Sequence, residues 1–338
     1  MPKWLTRSPL PTMFAVAAVV AASGAIGLTA ATGDRIAEVE RIEGLEVVLA
    51  EKPVDEVGEP IEVPPTENYL LVGSDSREGI TADDPDFGAI GDTSIVSGRR
   101  ADVIMVLRRE LDGGLHLVSL PRDLWLRIPG TGGSNRINSA YRGGPERIVA
   151  TVTETLGIPI NHYVEVNFVG FRDIVNEIGG VEICFAHPAR DPKTGLDQPP
   201  GCNTLDGIQA LAYARSRSYQ EFREGEWRTD GRADLGRIER QQLFMRAAAD
   251  GVVRRLTDQP FSSGELIQSV TASVRVDAAL EPFAAAEGLR RSYGNGFTTY
   301  SLPVYGDNVD GNSVLRLGDG AEAILEFFRG NTPPPPTE

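Results

Sequence analysis

Short apolar runs alternate with stretches of helical spacing from Asn68 to Leu302, and this alternation limits the fold more than any other feature. Asn68–Gly73 reads as a buried strand ending in glycine. Asp102–Leu107 and Leu115–Leu120 read as a hairpin joined through Asp112-Gly113-Gly114. His162–Asn167, Val181–Phe185 and Thr298–Leu302 are further strands, and Arg41–Leu45 is a candidate edge strand. Helical spacing covers Gly144–Leu156, ended by Gly157, and Phe168–Ile178, stopped by Gly179-Gly180. Asp206 caps a helix running to Tyr213. Arg237–Leu256 is a long amphipathic helix, and Glu265–Val274, Glu281–Arg291 and Gly320–Arg329 are shorter ones. Strands and helices interleaved in this way predict one α/β layered domain over residues 67–330, a central mixed sheet with helices on both faces.

The N-terminus has a different character. Lys3 and Arg7 precede an uncharged stretch from Ser8 to Gly33 with an apolar heart at Met13–Ala31. That is long enough to cross the ~30 Å hydrocarbon layer as a helix. A transmembrane anchor is predicted over 10–32, with 1–9 cytoplasmic. The acidic residues after it (Asp34, Glu38, Glu40) place the remainder outside the cytoplasm. Small residues around Leu28-Thr29-Ala30 keep a cleaved signal peptide open as the alternative, and both readings export the domain. Residues 33–66 form an acidic, proline-containing linker, and 331–338 a Pro-rich tail. Cys184 and Cys202 are the only cysteines, and in an exported protein one such pair predicts a disulfide, here stapling the polar stretch Asp191–Gly201.

A formal charge of −15 argues against non-specific nucleic-acid binding. Lysine occurs only at Lys3, Lys52 and Lys193, and no Gly-Lys pair exists, which excludes a Walker-type phosphate loop. The basic signal lies instead in five arginine motifs. They are Gly73-Ser74-Asp75-Ser76-Arg77, Arg99-Arg100-Ala101-Asp102, Ser119-Leu120-Pro121-Arg122-Asp123, Arg215-Ser216-Arg217, and Asp234-Leu235-Gly236-Arg237 running to Arg240-Gln241-Gln242. Each sits at a predicted strand end or helix start. Guanidinium forks match phosphate oxygens two at a time. Asp75 and Asp102 among them suit a hard divalent cation that keeps waters and takes few protein ligands. The chemistry they suggest is a metal-assisted site for a diphosphate.

An ordinary alternative stands beside each motif. Asp75 can be a turn former, Asp102 a partner of Arg100, and Arg122 a partner of Asp123. Arg215 and Arg217 share one face if that piece is extended, or are two exposed arginines in a charged segment that continues with Arg223, Glu224 and Glu226. Arg237 and Gln241 share one helix face, with Asp234 as the cap, or belong to an ordinary charged stripe on a helix surface. Other constellations fail: His116, His162 and His187 are not at ligand spacing, and Gly-x-Ser-x-Gly is absent. Asn138 reads as a cap or turn residue.

Taken together, from Asn68 to Gln242, these motifs resemble the LytR–CpsA–Psr family of exported cell-wall glycopolymer transferases, in an actinobacterial form. The resemblance implies a polyprenyl-pyrophosphate lipid in an apolar tunnel between sheet and helices, with Val164–Ile178 as part of its wall. It implies Arg77, Arg100, Arg122, Arg215, Arg217, Arg237 and Gln241 at the pyrophosphate, Asp75 and Asp102 on Mg²⁺ (or Mn²⁺), and Arg122 and Asp234 as catalytic groups. The implied partners are a polyprenyl-pyrophosphate-linked glycan, a peptidoglycan acceptor and the membrane, with no nucleic acid. The implied activity is phosphodiester-forming transfer; a non-catalytic polyanion binder and a lipid pyrophosphatase are the competing classes. Arabinogalactan, teichoic acid, capsule and a glycoprotein glycan all stay open as the polymer. The stretch Glu78–Gly98 is longer and more acidic than the family's short link, and a charged, insertion-like segment separates Arg217 from Asp234.

Overall fold

The computed structural model describes residues 39–51, 65–76, 101–110, 113–258 and 273–336, with isolated positions between 53 and 86. The expected anchor at 10–32, Arg77, Arg100, Glu78–Gly98 apart from Asp86, and most of the helix expected at Glu265–Val274 lie outside the described residues. Among the described residues no helix is long and apolar enough to cross a membrane.

Strands run in the order β1 (Glu40–Ile42), β2 (Thr66–Ser74), β3 (Ala101–Glu110), β4 (Gly114–Ser119), β5 (Trp125–Ile128) and β6 (Gly133–Arg136). They continue with β7 (His162–Val166), β8 (Val181–Phe185), β9 (Ala189–Asp191), β10 (Leu196–Gln198), β11 (Gly201–Leu205), β12 (Gln220–Arg223) and β13 (Glu226–Thr229). The last are β14 (Val274–Asp277), β15 (Phe297–Ser301), β16 (Val304–Val309) and β17 (Asn312–Leu317). The helices are α1 (Pro145–Leu156), α2 (Phe168–Glu177), α3 (Gly207–Arg215), α4 (Ala233–Asp258), α5 (Pro282–Tyr293) and α6 (Ala321–Arg329).

Seven strands form the main sheet, in the order β1-β14-β7-β2-β3-β4-β15. β7 and β2 are parallel, as are β15 and β4, whereas β3 is antiparallel to both its neighbours, so the sheet is mixed. Successive side chains alternate between faces. Tyr69, Leu71, Met105 and Val164 join one buried cluster, with residues of α2, α3, α4 and α5. Leu70, Val72, Ile104 and Val106 join the other, with residues of α1 and α6. The result is the predicted layered α/β domain.

Local chemistry explains the helix ends. Gly157 stops α1 at φ +73°, where a Cβ would be strained. The Asn167 side chain accepts from the Gly170 amide and caps α2. Asp206 and Gln209 form a reciprocal capping box on α3. Gly207 opens α3 because no side chain fits: a Cβ there would lie 2.4 Å from the Arg172 carbonyl oxygen.

Several expectations need correction. The edge strand expected near Arg41–Leu45 is present as β1, parallel to β14, and with the buried Leu45 it brings part of the expected linker into the domain. Val274 begins a strand rather than ending a helix. α4 starts a turn earlier than its apolar spacing suggests, so Asp234 lies inside the first turn and not at the cap. The stretch Asp191–Gly201 carries a hairpin, β9–β10, and the charged segment after Arg217 carries another, β12–β13. The two join in a four-stranded sheet, order β10-β9-β12-β13, with the Arg190 guanidinium 4.0 Å from the Trp227 ring centre.

Cys184 and Cys202 are bonded as a facing pair of the antiparallel strands β8 and β11, Cα to Cα 3.8 Å. The bridge closes the segment that carries β9 and β10. Replacing both cysteines by serine should lower stability by ~2–4 kcal/mol through the freed unfolded chain. Urea denaturation of the variant against the oxidised protein measures this, and equal midpoints would deny the bridge that role.

Candidate active site

Strands β2, β4 and β7 all end at one edge of the main sheet, where β3 begins. Open α/β sheets place ligand sites beyond such carboxyl ends. A cavity of about 370 Å³ lies there, between this edge and helices α2, α3 and α4. Leu71, Val103, Met105, Ile174 and Phe244 make part of its apolar interior. Asp75, Asp102, Arg122, Arg215, Arg217, Arg237 and Gln241 also line it. Residues scattered over more than 160 positions of sequence thus meet in one cavity, and Val166, Asn167, Phe168, Phe171 and Ile174 supply the wall expected from Val164–Ile178.

Asp102 reaches the cavity through a β-bulge. Gly73 faces Val103 and Ser74 faces Ala101, so Asp102 is one residue more than β2 can pair. Bulges re-aim side chains. Strict alternation would turn Asp102 to the same face as Ile104; the extra residue gives that place to Ala101, which packs in the Ile104 cluster, and Asp102 lines the cavity. There its Oδ1 accepts from Arg122 Nη1 at 2.6 Å and lies 3.7 Å from Arg217 Nη2. Arg122 also lies 3.6 Å from Asp123. The partner foreseen for Asp102, Arg100, lies outside the described residues. Arg122 is held by its backbone: its carbonyl accepts from the Asn138 amide at 3.1 Å. Asn138 itself is not among the cavity-lining residues.

Arg215 and Arg217 do not lie on one extended strand. Arg215 ends α3, its guanidinium 4.5 Å from the Phe168 ring centre, and Ser216 is the C-cap. Both arginines still line the cavity, because the turn between them is tied down on all sides. Arg240 donates to the Ser216 carbonyl at 2.7 Å and Gln241 to the Ala214 carbonyl at 3.0 Å. Arg240 also binds Asp230 at 3.1 Å and stacks 4.5 Å from the Tyr219 ring centre. Arg237 is 3% exposed and lies one helical turn before Gln241 on the face of α4 turned to the cavity. Gln242 belongs elsewhere: it donates to Ser119 Oγ and to the Tyr300 carbonyl, fastening α4 to the sheet. The Asp234 side chain lies outside the described residues.

Sequence patterns missed Asp191, which is fully buried and lines the cavity. Its carboxylate accepts from Ser216 Oγ at 2.7 Å, from the Arg217 and Ser218 amides at 3.0 and 2.8 Å, and from the Lys193 amide at 2.9 Å. Burial pushes this carboxyl up, but the Ser216 hydroxyl and the three amides outweigh it and hold it below the usual carboxylate range. The only signal was an aspartate opening the turn Asp191-Pro192-Lys193-Thr194-Gly195.

The arrangement defines a class of α/β domain with an apolar cavity whose charged residues, among those described, are five cationic side chains and three carboxylates. Relatives give the class a family. The profile of the LytR_cpsA_psr family matches residues 42–324, and the chain belongs to that family. It is 33% identical over 273 residues to LcpB of Corynebacterium glutamicum, covering 78% of this chain and 61% of that protein. It is 32% identical over 226 residues to the polyisoprenyl-teichoic acid–peptidoglycan teichoic acid transferase TagU of Bacillus cereus (strain AH820), covering 65% of this chain and 63% of that protein. The chain therefore spans about three fifths of the length of these relatives. A solved LytR-Csp2A-Psr enzyme from Actinomyces oris superimposes with TM-score 0.61 and 25% identity, over 82% of this chain and 96% of that one.

Proposed function

We propose that the protein transfers a glycopolymer from a polyprenyl-pyrophosphate carrier to peptidoglycan through a phosphodiester. The observation that carries the reading is the apolar cavity with Arg122, Arg215, Arg217 and Arg237 on its wall. A volume of about 370 Å³ falls at the lower end of the ~300–1,000 Å³ usual for small-molecule pockets. It suits the head and first units of a long prenyl chain rather than its whole length. TagU, named for teichoic acid transfer to peptidoglycan, supports the same acceptor. The membrane anchor at 10–32 belongs to this proposal and would hold the domain beside its lipid.

In the proposed reaction an acceptor hydroxyl attacks the sugar-proximal phosphorus. A new P–O bond forms to the acceptor, the P–O bond to the lipid phosphate breaks, and polyprenyl monophosphate leaves. The hydroxyl proton goes to a base, for which Asp234, one turn before Arg237, is the proposed group. Arg122, Arg215, Arg217 and Arg237 bind the diphosphate oxygens and offset charge as it builds on them. Gln241 holds the end of α3, which carries Arg215.

Mg²⁺ or Mn²⁺ is part of the proposal. Asp75 and Asp102 offer hard carboxylate oxygens beside the same cavity, the donor chemistry that Mg²⁺ takes. No cluster of three or more His, Cys, Asp or Glu suited to a metal exists among the described residues, so phosphate oxygens and water would complete the shell. When bound, the ion supplies charge neutralisation at the diphosphate.

The test is to incubate the full chain in detergent with a polyprenyl-pyrophosphate glycan, a peptidoglycan fragment and Mg²⁺, beside a chelated sample. The expected product is a glycan–peptidoglycan adduct that keeps one phosphate by mass and disappears on chelation. Lipid binding without bond cleavage, unchanged by chelation, would replace the transferase with a binder.

A further inference from the structure

The turn that links β9 to β10 supplies the charged lining residues that none of the five arginine motifs includes, Asp191 and Lys193. It carries Lys193, the only lysine among the described residues, and Lys193 and Thr194 line the same cavity as Arg217. One carboxylate ties this turn to the arginine turn. Asp191 Oδ1 accepts the Lys193 amide, and Oδ2 accepts the Ser216 hydroxyl with the Arg217 and Ser218 amides. The Lys193 turn and the Arg217 turn are therefore tied to each other by one buried carboxylate, beside the pairing of β9 with β12, across 26 positions of sequence between Asp191 and Arg217.

The two cations differ in kind. Arg217 offers a planar fork, and Lys193 a compact point charge on a flexible stem that stands exposed to solvent. A diphosphate joined to a glycan on one side and a lipid on the other has its outer phosphate near solvent. A compact cation on a flexible stem can follow that phosphate.

We propose that Lys193 is a further substrate-binding residue, taking the solvent-side oxygens of a prenyl diphosphate head, and that Asp191 is the positioning residue that sets it against Arg217. The assignment rests on the reading of the cavity as a lipid-diphosphate site and adds to it a contact from the turn between β9 and β10.

The test measures binding of farnesyl pyrophosphate and of farnesol to the full chain in detergent, at low and high salt. The native protein should prefer the pyrophosphate, more strongly at low salt. Lys193→Ala should weaken the pyrophosphate about fivefold, as for one partly exposed charged contact, and leave farnesol unchanged. Lys193→Arg should restore most of that loss. Asp191→Asn should weaken the pyrophosphate further, and adding Lys193→Ala to it should cost little more, because the first change already misplaces the lysine. Should Asp191→Asn fail to fold, the Lys193 pair alone decides. Native preference for the pyrophosphate with Lys193→Ala unchanged would overturn this inference and leave the proposed function standing. No native preference for the pyrophosphate over farnesol would overturn both.

Discussion

Arg122→Ala is expected to lower glycan transfer by about 10²–10³-fold, the range for removing one preorganised charge donor from a reacting centre. The fold should survive it. Arg122 is half-buried at the cavity, its side-chain partner Asp102 is partly exposed, and such pairs contribute ~0–1 kcal/mol to stability. The backbone that shapes this corner, with the Arg122 carbonyl on the Asn138 amide, does not depend on the guanidinium. Arg122→Lys keeps the charge and loses the fork, so its turnover should fall between the two. Turnover measured beside a urea denaturation curve separates the effects. A large loss of stability in Arg122→Ala, in step with the loss of transfer, would make the residue structural.

The second large effect is expected at the opposite edge of the sheet. His162 Nδ1 lies 3.2 Å from Asp277 Oδ2, and its Nε2 lies 3.7 Å from Glu67. Glu67 also takes Arg109 at 2.9 Å and the Tyr69 hydroxyl at 2.6 Å. Burial pulls the imidazole down, but hydrogen bonds to Asp277 and Glu67 overcome it and raise His162 to about 9. Burial pushes Glu67 up, but His162, Arg109 and Tyr69 outweigh it and lower it to about 2.

The signs follow from linkage. The stabilisation from charged His162 is complete below its ordinary value of 6.5 and is lost as pH rises through about 9. The stabilisation from ionised Glu67 is complete above 4.5 and is lost as pH falls through about 2. Their joint contribution is therefore greatest between pH 4.5 and 6.5. His162→Ala strips Asp277, a fully buried carboxylate, of its cation. Breaking a buried pair in this way costs about 3–5 kcal/mol. The variant should also lose the alkaline fall and begin its acid fall at higher pH. Denaturation midpoints from pH 3 to pH 10 report both, and an unchanged alkaline limb would remove His162 from this role.

Much of the fold was legible because the main sheet is built from apolar runs with clear ends. β2, β3, β4, β7 and β15 all lie close to their predicted spans, and Gly157, Asn167 and Asp206 end or cap helices by local chemistry that a short window shows. The small sheet was not legible. β12 and β13 carry one aromatic residue each, Phe222 facing Trp227, among polar and charged neighbours, and β9 contributes three residues, so no apolar alternation marks them. The cavity was legible as a set of residues but not as a geometry. Arg215 and Arg217 share one face only if that piece is extended, whereas a helix end and a turn place them. Asp191 escaped notice because its partners are mostly backbone amides, one turn away and then some 25 residues on, and amides carry no side-chain signature.

The bulge at Asp102 has a consequence for how such a chain can change over time. An inserted residue supplies the carboxylate, so no core position was surrendered to obtain it: Ala101 and Ile104 keep one face, Val103 and Met105 the other. The cavity-lining carboxylate and the hydrophobic pattern are thus separate features of β3. Exchange of Asp102 would therefore leave the apolar contacts of Ala101, Val103, Ile104 and Met105 in place.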